Sequence, residues 1–224
     1  MHIPDGYLSP QTYVPFYAVF IVMASTAVKK VKRQLSARII PFLGMAAAFS
    51  FLIMMFNIPI PGGTTGHAVG AAVIALIFGP WIASVAVSVA IIIQAFVFGD
   101  GGITALGANC INIAFVMSFT AWGVYKLVAG KSRNYARINI AAFLSGYISL
   151  TIAAVLTAVE LGIQPLIAAS ADGTPLYAPY PLKIAIPAMA LEHLLLFGIV
   201  EGLVTLFVFR YFYANQEDLV YVLK

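Results

Sequence analysis

A histidine in second position can offer a metal three nitrogens from two consecutive residues. They are the α-amino group of Met1, the amide nitrogen of His2 once deprotonated, and an imidazole nitrogen of His2. One equatorial position is then left. The imidazole of His67, at the end of the loop Pro59-Ile60-Pro61-Gly62-Gly63-Thr64-Thr65-Gly66-His67, would close a four-nitrogen square plane. Such a donor set suits Ni(II) or Cu(II), with Co(II) as a further candidate. Alone, His2 reads as part of a frayed terminus, and His67 as a polar residue at a helix start. The residues around them favour the joint reading: Pro4, Asp5-Gly6 and Ser9-Pro10 make the first ten residues stiff and turn-rich. Pro59, Pro61, Gly62, Gly63 and Gly66 bend the second loop and let another segment approach it closely.

The amine is expected to survive maturation. Removal of an initiator methionine generally requires a small second residue, and His2 is large. No basic n-region or small-residue cleavage site stands before the first apolar run, so no signal-peptide processing is expected either.

Three stretches, MHIPDGYLSP at the terminus, PGGTTGHAVG in the first long loop and GDGGITALGAN later, are similar to the signatures of the NikM/CbiM family. These are the substrate-binding membrane subunits of energy-coupling factor (ECF) nickel and cobalt transporters. The resemblance implies that Met1 (amine), His2 (amide and imidazole) and His67 hold the metal. It implies Ni(II), or Co(II), as transported cargo with no bound organic cofactor, and Pro4-Asp5 resembles the nickel branch more than the cobalt one. It also implies a transmembrane coupling subunit, ATPase subunits and a small accessory membrane subunit as partners, in a prokaryotic plasma membrane. The chain itself has no G-x-x-x-x-G-K-[ST] loop, so ATP hydrolysis falls to a partner and this chain is not expected to be an enzyme.

The elements that must position these residues are membrane helices. Of 224 residues 62% are hydrophobic and 9% charged, and the mean hydropathy is +0.99, values that exclude an ordinary soluble globule. The single cysteine, Cys110, excludes an internal disulfide and a thiolate metal cluster. Apolar runs at Thr12–Val28, Ile39–Ile58, Ala68–Phe78, Trp81–Phe98, Ile103–Val128, Ile138–Leu161 and Ile184–Phe212 predict an all-α, polytopic protein with seven transmembrane helices in one domain, 1–224. The third run is short for a bilayer core of about 30 Å. It is either tilted and buried among its neighbours or extended by part of the preceding loop.

Lys29, Lys30, Lys32, Arg33 and Arg38 follow the first run, Lys126, Lys131, Arg133 and Arg137 the fifth, and Arg210 and Lys224 the last. With seven spans all lie on one side, leaving Lys183 on the other, so the N-terminus is expected outside and the C-terminus in the cytoplasm. The N-terminal segment 1–10, the ligand loop 59–67, the turn at Asp100-Gly101-Gly102 and the connection Gly162–Lys183 then share the outer face. The basic clusters have no interleaved aromatics, so the expected partner is anionic lipid and not nucleic acid.

Polar residues at membrane depth complete the candidates. Asp5, Asp100, Asn109, Asn112, Glu192 and His193 are candidates to support the ligands. Asn109 and Asn112, three apart, either hydrogen-bond the ligand loop or join helices. Glu201, between Gly198 and Gly202, is expected at a tight helix contact, with a proton relay as the weaker reading. Small residues at Gly44-Met45-Ala46-Ala47-Ala48 and along Ser84–Ala90 are candidate docking faces for the coupling subunit. Two other classes make different demands on the chain. An ion-coupled secondary transporter using Glu192, His193 and Glu201 predicts inverted repeats, and none is seen. An intramembrane metalloenzyme needs an open coordination position and a base.

Overall fold

The computed structural model describes residues 1–34, 36–37, 39–60 and 64–223. Leu35, Arg38, Lys224 and the Pro61-Gly62-Gly63 centre of the ligand loop lie outside the described residues. Among the described residues the apolar runs form helices α1 Pro10–Gln34, α2 Ile39–Met54, α3 Ala71–Phe78, α4 Pro80–Phe98, α5 Leu106–Val128, α6 Tyr135–Ile167 and α7 Leu182–Asn215. Five of them, α1 and α4 to α7, are long and apolar enough to cross a membrane, and α2 is shorter. Ile21, Val22, Leu52, Phe96, Val97 and Leu195 point outward, as they do in a protein whose solvent is hydrocarbon. The chain is a multi-pass membrane protein.

The short third run resolves into a buried helix. All residues of α3 from Ala71 to Ile77 are buried, which is why its sequence is apolar all round. At about 1.5 Å per residue it rises only ~12 Å. The end of the second run does not continue α2. It forms strand β1 (Ile58–Ile60), which pairs antiparallel with β2 (Thr64–Gly66), Ile58 opposite Gly66, so one small hairpin interrupts the all-helical expectation. Gly79, at φ 94, turns the chain so that Pro80 can open α4.

Helix packing relies on absent side chains. A Cβ on Gly146 of α6 would stand 2.6 Å from Thr205 Oγ1 and 2.7 Å from Glu201 O, so α6 and α7 meet backbone to backbone. Gly107 of α5 lies equally close to α1, its missing Cβ 2.8 Å from the Tyr17 amide nitrogen. Of the two proposed docking faces, the one on α4 is closed: Ser84, Ala86, Ser88 and Ala90 are buried, and Ser84 Oγ donates to Pro80 O and Ala114 O at 2.8 and 3.1 Å. Its small residues serve packing inside the bundle. A Cβ on Gly44 of α2 would meet nothing within 4 Å, so that face remains open.

Three helices contain a π-helical turn: Gln94–Phe98 in α4, Cys110–Val116 in α5 and His193–Phe197 in α7. Each wider turn rotates the helix face that follows it. Asn109 and Asn112 straddle the start of the second, so their spacing of three does not deliver them to the same neighbours.

The two ends of the bundle differ in charge. Lys29, Lys30, Lys32 and Arg33 close α1, Lys126 lies in the last turn of α5, Arg137 is in the first turn of α6 and Arg210 is near the end of α7. Lys30 Nζ rests 4.9 Å over the Trp81 ring, joining the end of α1 to the start of α4. The N-terminal segment, the turn after α4 and the loop after α6 gather at the opposite end.

Candidate metal centre

The first nine residues are an irregular segment pinned along its length. Ile3 and Leu8 are buried with Ala105 and Ala108, which anchors the segment on the start of α5. The Asn109 side chain treats residue 3 as a sheet partner would: Oδ1 accepts from Ile3 N at 2.8 Å and Nδ2 donates to Ile3 O at 3.1 Å. Gly102 N also donates to Ile3 O, at 2.8 Å. Asp5 accepts from the Thr104 and Ile103 amides at 2.7 and 3.1 Å. With the Thr104 hydroxyl, the first cause, these bonds hold the Asp5 carboxyl below its usual range. Further along, Ser9 N donates to Gln164 Oε1 at 2.9 Å and Ala178 N to Tyr7 O at 3.1 Å.

The pinned segment delivers Met1 and His2 to the interior. Met1 is buried, and desolvation lowers its ammonium pKa to about 6 despite the opposing pull of Glu192 and Asp100. Burial likewise lowers His2, against the stabilising bond from Asp100, whose Oδ1 lies 3.2 Å from His2 Nδ1. That bond is also the main reason the Asp100 carboxyl sits below its usual range.

His67 comes from the other side. It follows β2 and is 1% exposed, and its ring centroid is 4.9 Å from that of His2 with the planes 33° apart. His67 Nδ1 donates to Ala68 O at 3.0 Å, which fixes the neutral tautomer with an acceptor lone pair on Nε2. Desolvation first, then the Met1 ammonium and His2, push its pKa well below 6.5. The Nε2 atoms of His2 and His67 are both buried without a hydrogen-bond partner, an arrangement that costs energy unless something takes the lone pairs. Among the described residues no three His, Cys, Asp or Glu side chains converge as a metal site. The main-chain nitrogens beside the two imidazoles are the Met1 amine and the His2 amide.

The remaining expected residues divide. Glu192 lies close enough to act on the Met1 amine, and His193 to act on His67. His193 Nδ1 donates to Met189 O at 2.8 Å. Asn112 goes elsewhere: its Nδ2 donates to Glu160 Oε1 at 2.8 Å and Thr157 Oγ1 at 3.2 Å, joining α5 to α6. Of the two uses open to the asparagines, Asn109 holds the terminal segment and Asn112 joins helices. Glu160 is buried and escaped the sequence reading, although a carboxylate inside an apolar run was the available signal. The task of Glu201 was missed as well: its carboxylate accepts from Val69 N at 2.7 Å and Gly70 N at 3.0 Å, immediately after His67.

Close approach makes one substitution informative. A Cβ on Gly102 would stand 2.4 Å from Asp5 N and 2.6 Å from the Pro4 carbonyl carbon. Gly102→Ala is therefore expected to lift the terminal segment, costing about 1–3 kcal/mol of stability and, for a metal held at this site, about tenfold in affinity. Calorimetric titration with divalent metals beside thermal unfolding checks this. Unchanged affinity would mean that the segment's seat on Gly102 does not matter to binding.

The chain matches, over residues 2–219, the family model described as "Cobalt uptake substrate-specific transmembrane region" (CbiM). It is 52% identical over 206 residues to the fused nickel transport protein NikMN of Rhodobacter capsulatus, covering 92% of this chain and 59% of that protein. It is 46% identical to the probable fused nickel transport protein LarMN of Lactiplantibacillus plantarum, covering 94% of this chain and 64% of that one. The chain thus spans about three-fifths of the length of these two relatives. A putative metal transport protein of Methanocaldococcus jannaschii is 43% identical, with 98% and 94% covered. Among solved structures, a crystal structure of a transition metal transporter superposes with a TM-score of 0.92 at 46% identity, covering 97% of this chain and 94% of that one.

Proposed function

The chain belongs to the CbiM family of cobalt uptake substrate-specific transmembrane regions, and from that membership and its buried nitrogen cluster we propose that it captures Ni(II), with Co(II) as second cargo, for ATP-driven uptake. The observation that carries this reading is the meeting of two buried imidazoles, their centroids 4.9 Å apart, beside the Met1 terminus. The ligands are the Met1 amine, the His2 amide and imidazole, and the His67 imidazole through Nε2. Together they make the square plane that a d⁸ ion prefers.

The chelate constrains His2 further. A ring that includes the His2 amide closes with six members only through Nδ1, and that nitrogen now faces Asp100 at 3.2 Å. Loading therefore turns the imidazole about Cβ–Cγ and replaces the Asp100 contact with the metal.

The rest follows from charge and resemblance. The basic end is cytoplasmic by the positive-inside rule, which puts segment 1–10 and loop 59–67 outside on a single transmembrane domain of seven helices, with α3 buried among the others. ATP hydrolysis belongs to the ATPase subunits of an ECF-type complex, linked through a transmembrane coupling subunit, with a small accessory membrane subunit beside them. The family's named relatives are transport proteins, and the role here is likewise transport and not catalysis.

Proton release tests the ligand set. With the Met1 amine near 6 and both imidazoles lowered, all three are already neutral at pH 7, and only the amide proton leaves. Calorimetry in buffers of different ionisation enthalpy is expected to give about one proton per Ni(II) at pH 7, against about two for an amine of ordinary pKa. As pH is lowered, affinity falls about tenfold per unit down to about pH 6 and more steeply below that, as the amine regains its proton. Burial thus moves the steep part of the curve below the ordinary imidazole range. Occupancy that stays flat down to pH 5 would sink the nitrogen set, since carboxylate ligands weaken only near pH 4.

A further inference from the structure

The Glu201 carboxylate is fully buried, 132 and 131 residues along the chain from its partners Val69 and Gly70, and both of its oxygens serve the backbone just after His67. Oε2 accepts from Val69 N at 2.7 Å, and Gly70 N reaches Oε1 and Oε2 at 3.0 and 3.1 Å. These amides precede the first turn of α3, whose N-terminal dipole favours the negative charge. Four residues earlier on α7, the Phe197 ring covers Gly66, so closely that a Cβ there would lie 2.0 Å from it. Four residues earlier again, His193 stands near enough to His67 to act on it electrostatically. One stripe of α7 thus grips the chain on both sides of His67, at residues 66 and 69–70.

We propose that Glu201 is a positioning residue for metal capture, fixing the His67 backbone so that its imidazole faces His2, and that α7 thereby sets whether the fourth ligand is in place. This rests on the reading of His67 as a ligand. An N–H pair needs two acceptor sites in line, which a carboxylate provides and a single amide oxygen provides only in part. The π-helical turn at His193–Phe197 lies inside this stripe. A change in that turn would rotate Phe197 and Glu201 against His193, and would carry the His67 backbone away from the terminal segment.

The test is a double-mutant cycle on the purified full chain, read as Ni(II) affinity and as the visible absorption of the loaded protein. Glu201→Gln is expected to weaken Ni(II) binding about tenfold and Glu201→Ala about 100-fold, the range typical of groups that orient a ligand. Both should weaken the Ni(II) d–d band, in the direction of its loss in His67→Ala protein. In a His67→Ala background neither change should weaken binding further, because the ligand that Glu201 positions is gone. Glu201→Asp keeps both oxygens on a shorter arm and supplies the same comparison if the amide variant does not fold. A purely structural role would lower thermal stability with the affinity and band of the folded fraction unchanged, or would weaken binding equally in both backgrounds. Either result overturns the proposal. Failure of the ligand reading looks different: His67→Ala alone would then bind Ni(II) like the parent protein.

Discussion

One residue added before Met1 is expected to abolish nickel binding and uptake. The addition converts the α-amine into an amide and displaces the free amine from a buried position where Met1 is 4% exposed. Pinning of the next residues leaves no slack: Ile3 is held by Asn109 and Gly102, and Asp5 by Ile103 and Thr104. The added residue would have to enter a packed interior. Inserting an alanine between Met1 and His2 perturbs the site differently. It creates an amine, two amides and an imidazole at position three, enough to fill the equatorial plane without His67. That variant is expected to bind Ni(II), to be indifferent to His67→Ala, and not to transport, because the His67 loop is no longer drawn in. A C-terminal tag is expected to leave binding intact. Uptake assays and titration on the set separate these outcomes, and an N-terminally extended protein that takes up nickel normally would remove the amine from the site.

His67→Ala carries the second largest effect. With one of four equatorial nitrogens gone, Ni(II) affinity is expected to fall at least ~100-fold, beyond the 10- to 100-fold typical of groups that only orient a ligand. The side chain is more deeply set than a loop histidine suggests. It is 1% exposed and donates to Ala68 O, so a stability loss of about 1–2 kcal/mol accompanies the substitution. Glu201 still holds Val69 and Gly70, which keeps the surrounding backbone in place. Titration with Ni(II) reads the affinity and thermal unfolding reads the stability. A variant that unfolds more readily, yet binds as tightly as the parent, would remove His67 from the site.

The helices were legible because hydrocarbon demands a simple pattern, and runs such as Ile138–Leu161 and Ile184–Phe212 became α6 and α7 with a few residues added at each end. The terminal segment was legible in part, since Pro4 and Asp5-Gly6 announce a stiff turn. Other features depend on contacts between residues far apart in the chain. Asn109 meets Ile3 across 106 positions, and Glu201 meets Val69 across 132, and no local period encodes either pairing. The π-helical turns were equally hidden. They sent Asn112 to Glu160 and Thr157 instead of to the terminal segment that Asn109 holds. Ser84 to Ala90 looked like a docking face because small residues mark any close helix contact, inside a bundle or at its rim.

The most direct measurement is the visible absorption and magnetic susceptibility of the Ni(II)-loaded protein. Four nitrogens in a plane, one of them a deprotonated amide, impose a strong field and low-spin Ni(II). The expected product is yellow and diamagnetic, with a d–d band that is lost on N-terminal extension and in His67→Ala protein. A pale, paramagnetic, six-coordinate Ni(II) centre in the unmodified chain would contradict the account.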